Sequence, residues 1–88
     1  MTWRIYLRHP QQRVSDKTVT DDRSVADLAL RRLVYEHVGL HAAAVKTRDG
    51  QQEQYVRLDE GYRVCEKCRY RGPFVDGGET CPYCALVQ

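Results

Sequence analysis

The sequence predicts an α+β protein: a small ββαββ sheet with one helix packed on it over residues 1–60, followed by a four-cysteine metal-binding module over residues 61–88. Three observations predict this order. Residues 3–8 alternate apolar and polar side chains, and β-rich stretches flank an Asp49-Gly50 pair, which is the period and the turn chemistry of strands. Residues 21–39 combine a broad apolar face with helix start and stop signals. All four cysteines lie in two Cys-x-x-Cys pairs, Cys65/Cys68 and Cys81/Cys84, with twelve residues between the pairs.

The elements follow in chain order. Trp3, Ile5 and Leu7 share one face of the first strand and Arg4, Tyr6 and Arg8 the other. His9-Pro10-Gln11-Gln12 reads as a turn. Residues 13–20 are β-branched with thin apolar content, which suits an edge strand antiparallel to the first. Asp21 and Asp22 place negative charge at a helix start, and Ser24-x-x-Asp27 resembles a capping box. Val25, Ala26, Leu28, Ala29, Leu30, Leu33, Val34, His37 and Val38 then form the apolar face, and Gly39 stops the helix. After it, residues 42–48 and 52–58 read as a hairpin about Asp49-Gly50, where both turn residues need positive φ. A two-residue turn sets Lys46 opposite Glu53 and Ala44 opposite Tyr55.

Length and charge bound the function classes. Eighty-eight residues make a core near the lower limit for independent stability, so a metal staple at one end is physically reasonable. Fourteen basic against twelve acidic residues leave a formal +2, with no block of like charge. Since nucleic-acid affinity grows with the number of phosphates neutralised, this balance predicts weak unaided binding. Met1-Thr2-Trp3-Arg4 leads into a strand without an apolar leader, and no stretch approaches the roughly 18 apolar residues that span a bilayer. The expectation is a soluble, cytoplasmic protein with no membrane partner and no small-molecule substrate.

Two Cys-x-x-Cys knuckles facing each other supply four thiolates to one tetrahedral ion, most simply a single structural Zn2+, with Cys65, Cys68, Cys81 and Cys84 as ligands. Disulfide pairing is the competing reading, set aside because no secretory leader precedes the chain. Iron uses the same ligand set, and zinc is favoured as the common occupant of such short modules. Residues 69–80 suit a β-ribbon that runs out at Arg69-Tyr70-Arg71, turns at Gly72-Pro73 and Asp76-Gly77-Gly78, and returns at Glu79-Thr80, while Tyr62 and Val64 enter the first knuckle as a strand. Over residues 62–86 this arrangement resembles the four-cysteine zinc ribbon, or rubredoxin-like, group. The group implies a metal-centred fold and occurs in transcription factors, polymerase subunits, ribosomal proteins and docking modules, so it implies no single role.

Other chemistries compete less well. Cys81-Pro82-Tyr83-Cys84 is similar to the glutaredoxin active-site tetrapeptide, but a redox dithiol needs a helix after its first cysteine. The four residues after Cys84 are too few for one. Thiol redox or metal handling is therefore the third-ranked reading. His37 and His41 are four apart, with Gly39 breaking the helical geometry a metal pair would need. No Ser/His/Asp set, paired catalytic carboxylates or phosphate-cradling Gly-rich loop is present, so no enzyme is expected.

Arg69, Tyr70, Arg71 and Phe74, with Arg4, Tyr6 and Arg8 on the first strand, are the candidate partner or nucleic-acid surface, because interleaved basic and aromatic side chains hold phosphates and stack bases. Residues 13–20 leading into the Ala-rich helix look like small proteins of phages and mobile elements, a resemblance covering residues 3–58 that implies a compact protein acting by binding. The leading expectation is a non-enzymatic protein-interaction module docking on a nucleic-acid-handling complex, with a phage-type regulator or inhibitor of host or defence machinery as one such class. Direct DNA or RNA binding, as in a transcription- or translation-type factor, is the runner-up.

Overall fold

A computed structural model describes residues 1–87. Strands β1 (Trp3–Arg8) and β2 (Val14–Thr20) precede helix α1 (Arg23–Glu36), then come β3 (Ala43–Arg48) and β4 (Gln51–Arg57). Two-residue strands β5 (Arg63–Val64) and β6 (Arg71–Gly72) and a short α2 (Pro82–Leu86) complete the chain. The first four strands form one antiparallel sheet in the order β2-β1-β3-β4, which puts β2 at an edge. β1 and β2 are joined through the His9–Gln12 turn, closed by His9 N–H donating to the Arg13 carbonyl at 2.8 Å. α1 then carries the chain over one face of the sheet to the free side of β1, where β3 pairs. Fourteen helical residues span about 21 Å at 1.5 Å per residue, ample for crossing strands about 4.8 Å apart.

The helix starts earlier than a capping box on Ser24 would place it. Asp22 is the N-cap, its carboxylate accepting from Ser24 N–H at 2.8 Å and from Ser24 Oγ at 2.7 Å. Those bonds, the side-chain one foremost, hold the Asp22 carboxyl below its ordinary value. Asp27 is not part of the cap, because it reaches across to Lys46 Nζ at 2.9 Å. The helix ends at Glu36 with His37 as C-cap, so Val38 lies beyond it and packs on the cysteine cluster. Gly39, at φ +89°, turns the chain and donates its N–H to the Leu58 carbonyl at 2.7 Å.

The core lies between α1 and the sheet. Trp3, Ile5 and Leu7 of β1 meet Ala26, Leu30, Leu33 and Val34 of α1, with Ala42, Ala44 and Leu58 from the second hairpin. Val75, from the loop after β6, joins this same core. Two hydrogen bonds fix the approach of that loop: Gln54 Nε2 donates to Asp76 Oδ1 at 2.8 Å, and Asp76 N–H donates to Gln54 Oε1 at 3.0 Å. The two parts of the chain predicted as 1–60 and 61–88 thus share buried side chains.

The hairpin turn at Asp49-Gly50 has both residues at positive φ, +50° and +84°, as its sequence demands. The predicted register is corrected. Lys46 pairs with Gln54, Val45 with Tyr55 and Ala44 with Val56, because Glu53 is an extra residue in β4 between the pairs Lys46–Gln54 and Thr47–Gln52. The displaced Glu53 carboxylate accepts from Trp3 Nε1 at 3.2 Å and lies 3.3 Å from Arg48 Nε and 3.7 Å from Lys46 Nζ. Three donors on the helix side of the sheet account for that bulge. A second bulge sits in β2, where Asp16 and Lys17 together face Tyr6 and Asp16 takes φ +53°.

Candidate metal centre

Each Cys-x-x-Cys folds as a tight turn. In the first, Cys65 N–H donates to the Tyr70 carbonyl at 2.8 Å and Arg69 N–H donates to the Cys65 carbonyl at 2.9 Å, with Arg69 at φ +68°. The backbone N–H groups of Cys68 and Lys67 point at the Cys65 sulfur and lower its pKa to about 6. The second turn repeats the device: the N–H groups of Cys84 and Tyr83 point at the Cys81 sulfur. Amide donors aimed at sulfur stabilise thiolate, the form that ligates metal.

The two turns face each other. Cys65 Sγ lies 3.6 Å from Cys84 Sγ, Cys68 Sγ lies 3.6 Å from Cys81 Sγ, and all four sulfurs fall within 4.8 Å of one another. A tetrahedral ion with bonds of about 2.3 Å needs sulfur–sulfur edges of about 3.8 Å. The tetrad matches that size, and all four cysteines are free thiols. Cys65 and Cys81 are buried and Cys68 and Cys84 half-buried. Crowding then opposes full ionisation: sharing a proton with the Cys68 and Cys65 sulfurs pushes Cys84 up to about 12, and burial raises Cys81. A divalent cation resolves that conflict, since it neutralises charge that four adjacent thiolates cannot hold together. The four cysteines are arranged to bind a metal ion, and among the described residues they are the one such cluster.

The ribbon around the site differs from its predicted form. The strand entering the first knuckle, Arg63–Val64, pairs antiparallel with Arg71–Gly72 as the chain leaves it, and the return is reduced to a single bridge between Val75 and Thr80. The segment after Cys81 also forms α2, a five-residue helix with Cys81 as N-cap, which the short tail had argued against. Pro82 at the first helical position starts it without needing a backbone donor. This helix does not activate its cysteine, because burial outweighs the local amides and raises the Cys81 thiol.

The structure places Tyr70 and Phe74 against the cysteine cluster. Tyr70 is only 9 % exposed, packs on Cys65 and Cys81, and donates its hydroxyl to the Pro73 carbonyl at 2.8 Å. Burial raises its phenol pKa. Phe74 is half-buried against Tyr70, with the Arg63 guanidinium 5.1 Å above its ring. Both rings belong to the apolar wall of the cysteine cluster, Tyr70 buried in it and Phe74 still partly exposed. Arg69 and Arg71 are exposed on the rim. Tyr35 of α1 stands 6.1 Å from Tyr70 and 5.0 Å from Tyr83 between ring centroids, tying the site to the helix. Arg4 and Arg8 are exposed and Tyr6 half-buried on the sheet face away from α1. His37 and His41 do not converge: His37 Nε2 is 3.8 Å from Asp16 Oδ2, and His41 Nδ1 is 2.8 Å from Asp59 Oδ2.

Gly72 shows how tightly this wall is packed. A Cβ there would lie 2.6 Å from Tyr70 Oη, 2.9 Å from Tyr70 Cζ and 3.0 Å from Val38 Cγ1. The Tyr70 ring is held by its hydrogen bond and cannot swing away. Gly72→Ala is therefore expected to cost about 1–3 kcal/mol by overpacking, read as a lower urea midpoint of the metal-loaded chain. An unchanged midpoint would show that the wall yields.

Comparison with known protein families, with curated proteins and with solved structures finds no match. The resemblance of residues 3–58 to phage and mobile-element proteins gains no support from them. No helix among the described residues is long and apolar enough to cross a membrane.

Proposed function

We propose that this protein is a non-enzymatic binding module whose metal is a single structural zinc ion, and that it works as part of a nucleic-acid-handling complex. The observation that carries this reading is the complete four-sulfur donor set, stapled to the α/β unit through Val75 and through the Tyr35 contacts. Four sulfurs complete a tetrahedron and leave no position at the ion for a substrate or a reacting water. Zinc suits the site better than iron because the module is small and the ion has to serve chiefly as its core. The purified full chain is expected to be colourless with one zinc per chain, and to protect its cysteines from thiol reagents until a chelator is added. A red, iron-loaded protein, or cysteines that react freely with zinc in excess, would overturn the structural-zinc reading. Capture with the zinc-loaded chain from a cell lysate is expected to retain components of a nucleic-acid-processing complex. Loss of every specific component would overturn the partner part.

The second reading, direct nucleic-acid binding, is favoured by the side chains on the exposed face of the sheet rather than by the ribbon.

A further inference from the structure

Among the described residues, the sheet face opposite α1 has no helix or strand packed on it, and its register sets side chains out in three rows. In the middle row, Tyr6 of β1 pairs with Val45 of β3, which pairs with Tyr55 of β4. Two strand spacings therefore separate the tyrosines, about 10 Å. Val45 is fully buried between them although no helix covers it, while Tyr55 is 47 % exposed. On one side runs the row Val19–Arg4–Thr47, and on the other Val14–Arg8–Ala43–Arg57. Lys17, next to the inward-facing Thr18, reaches the same face by alternation.

Among the strand residues, charge on this face is one-sided, and the two bulges make it so. Asp16 and Glu53 are the carboxylates in the four strands, and each sits at a bulge. Asp16 turns to His37 at the end of α1, and Glu53 turns to Trp3, Arg48 and Lys46. Arg57 is occupied by Asp59, donating to it at 2.9 Å, so among the described residues the cations of this face outside any ion pair are Arg4, Arg8 and Lys17. At one end the face opens into a cleft of about 540 Å³ lined by Arg8, His9, His41, Tyr55 and Arg57.

We infer that this face binds single-stranded nucleic acid, with bases stacked on Tyr55 and Tyr6 and backbone phosphates held by Arg4, Arg8 and Lys17. The inference rests on the binding-module reading and names the surface and its ligand. Two tyrosines about two strands apart, flanked by Arg4 and Arg8 with Lys17 beside Tyr6, fit a polyanion whose bases are unpaired; a duplex hides the base faces. Rings and cations meet features common to DNA and RNA, so both sugars are accepted. Three free cations are few, so the complex is weak, with a dissociation constant of about 10⁻⁶–10⁻⁴ M.

The test is fluorescence anisotropy of 5′-fluorescein dT12, rU12 and a blunt 12-base-pair duplex, titrated with the zinc-loaded full chain at several salt concentrations. Both single strands are expected to bind, the duplex more weakly. A log–log salt slope of about −2 corresponds to three phosphate contacts on a single strand. Tyr55→Ala lowers affinity about tenfold and Tyr55→Phe keeps it, since stacking needs the ring and not the hydroxyl. Arg8→Ala makes the salt slope shallower by about 0.7. Equal zinc content and circular dichroism confirm that these surface variants fold. No binding at 100 μM protein and low salt, equal binding of the duplex, or affinity indifferent to Tyr55→Ala and Arg8→Ala overturns the inference. So does tighter binding of an acidic peptide that the same variants abolish, an outcome that leaves the binding-module reading standing. Conversely, oligonucleotide binding by a chain that purifies red with iron, or whose cysteines react freely with zinc in excess, sinks the structural-zinc reading and leaves this one intact.

Discussion

Removing the metal with a chelator is expected to unfold residues 62–86 and to weaken the sheet and helix they rest on. Structural zinc in small modules contributes about 10–16 kcal/mol of apparent binding free energy, against a typical domain stability of about 5–15 kcal/mol. The module has little else to hold it, because its wall consists of Tyr70, Phe74, Tyr83 and Val38 around the sulfurs. The sheet suffers because Val75, 1 % exposed, belongs to the main core and the Gln54–Asp76 bonds anchor its loop. Exposing one valine costs about 1.5–3 kcal/mol, which for a chain this short lowers the melting temperature by roughly 10 °C. The expected record is loss of ellipticity on chelation, a lower and broader melt of what remains, and recovery when zinc is returned. Protons compete with the ion for the thiolates, so lowering the pH releases metal and reproduces the same change. An unchanged melt after proven metal loss would show that the module folds without its ion.

Asp27→Ala is expected to destabilise the metal-loaded chain by about 2–4 kcal/mol, whereas Lys46→Met is neutral or mildly stabilising. The Lys46 side chain is 5 % exposed on the helix side of the sheet, opposite Ile5, with its ammonium 2.9 Å from Asp27 and 3.7 Å from Glu53. Removing one partner of a buried pair leaves an uncompensated charge, typically worth about 3–5 kcal/mol. The figure is reduced here because Asp27 is 31 % exposed and Glu53 remains near. Lys46→Met keeps the apolar stem and removes the charge, and Glu53 keeps Trp3 and Arg48 as donors. Urea unfolding of both variants decides the matter, and a Lys46→Met loss as large as that of Asp27→Ala would overturn the account.

Much of the architecture was legible because its signals are local. The alternation of residues 3–8 and the positive φ demanded by Asp49-Gly50 each involve a few neighbouring residues, and the structure shows both; the helix stops at Glu36, a little before the turn that Gly39 makes. The cysteine spacing likewise announced a four-sulfur cluster. What was misread depended on distant contacts. Ser24 looked like a cap until Asp27 was seen to serve Lys46. Tyr70 looked like an exposed ring because Arg69 and Arg71 flank it, yet the metal site needs an apolar wall and takes it. The α2 helix was missed because its short length counted against it, while Pro82 and packing on α1 were enough to form it. Tyr55 and Arg57 were missed as surface partners of Tyr6 and Arg8. Their alternation in β4 placed them on one face, but nothing local said that β3 alone would separate them from β1.

The sequence by itself determined the kinds and order of the elements through β4 and the four-cysteine cluster, because side-chain period, turn chemistry and ligand spacing act over a few neighbouring residues. Only the tertiary structure decided which strands are neighbours, where each bulge falls and which side chains the module covers. Those outcomes come from packing between segments far apart in the chain. Three donors on the helix side draw Glu53 out of register, a carboxylate is required beside buried Lys46, and the core takes Val75 from beyond the first knuckle.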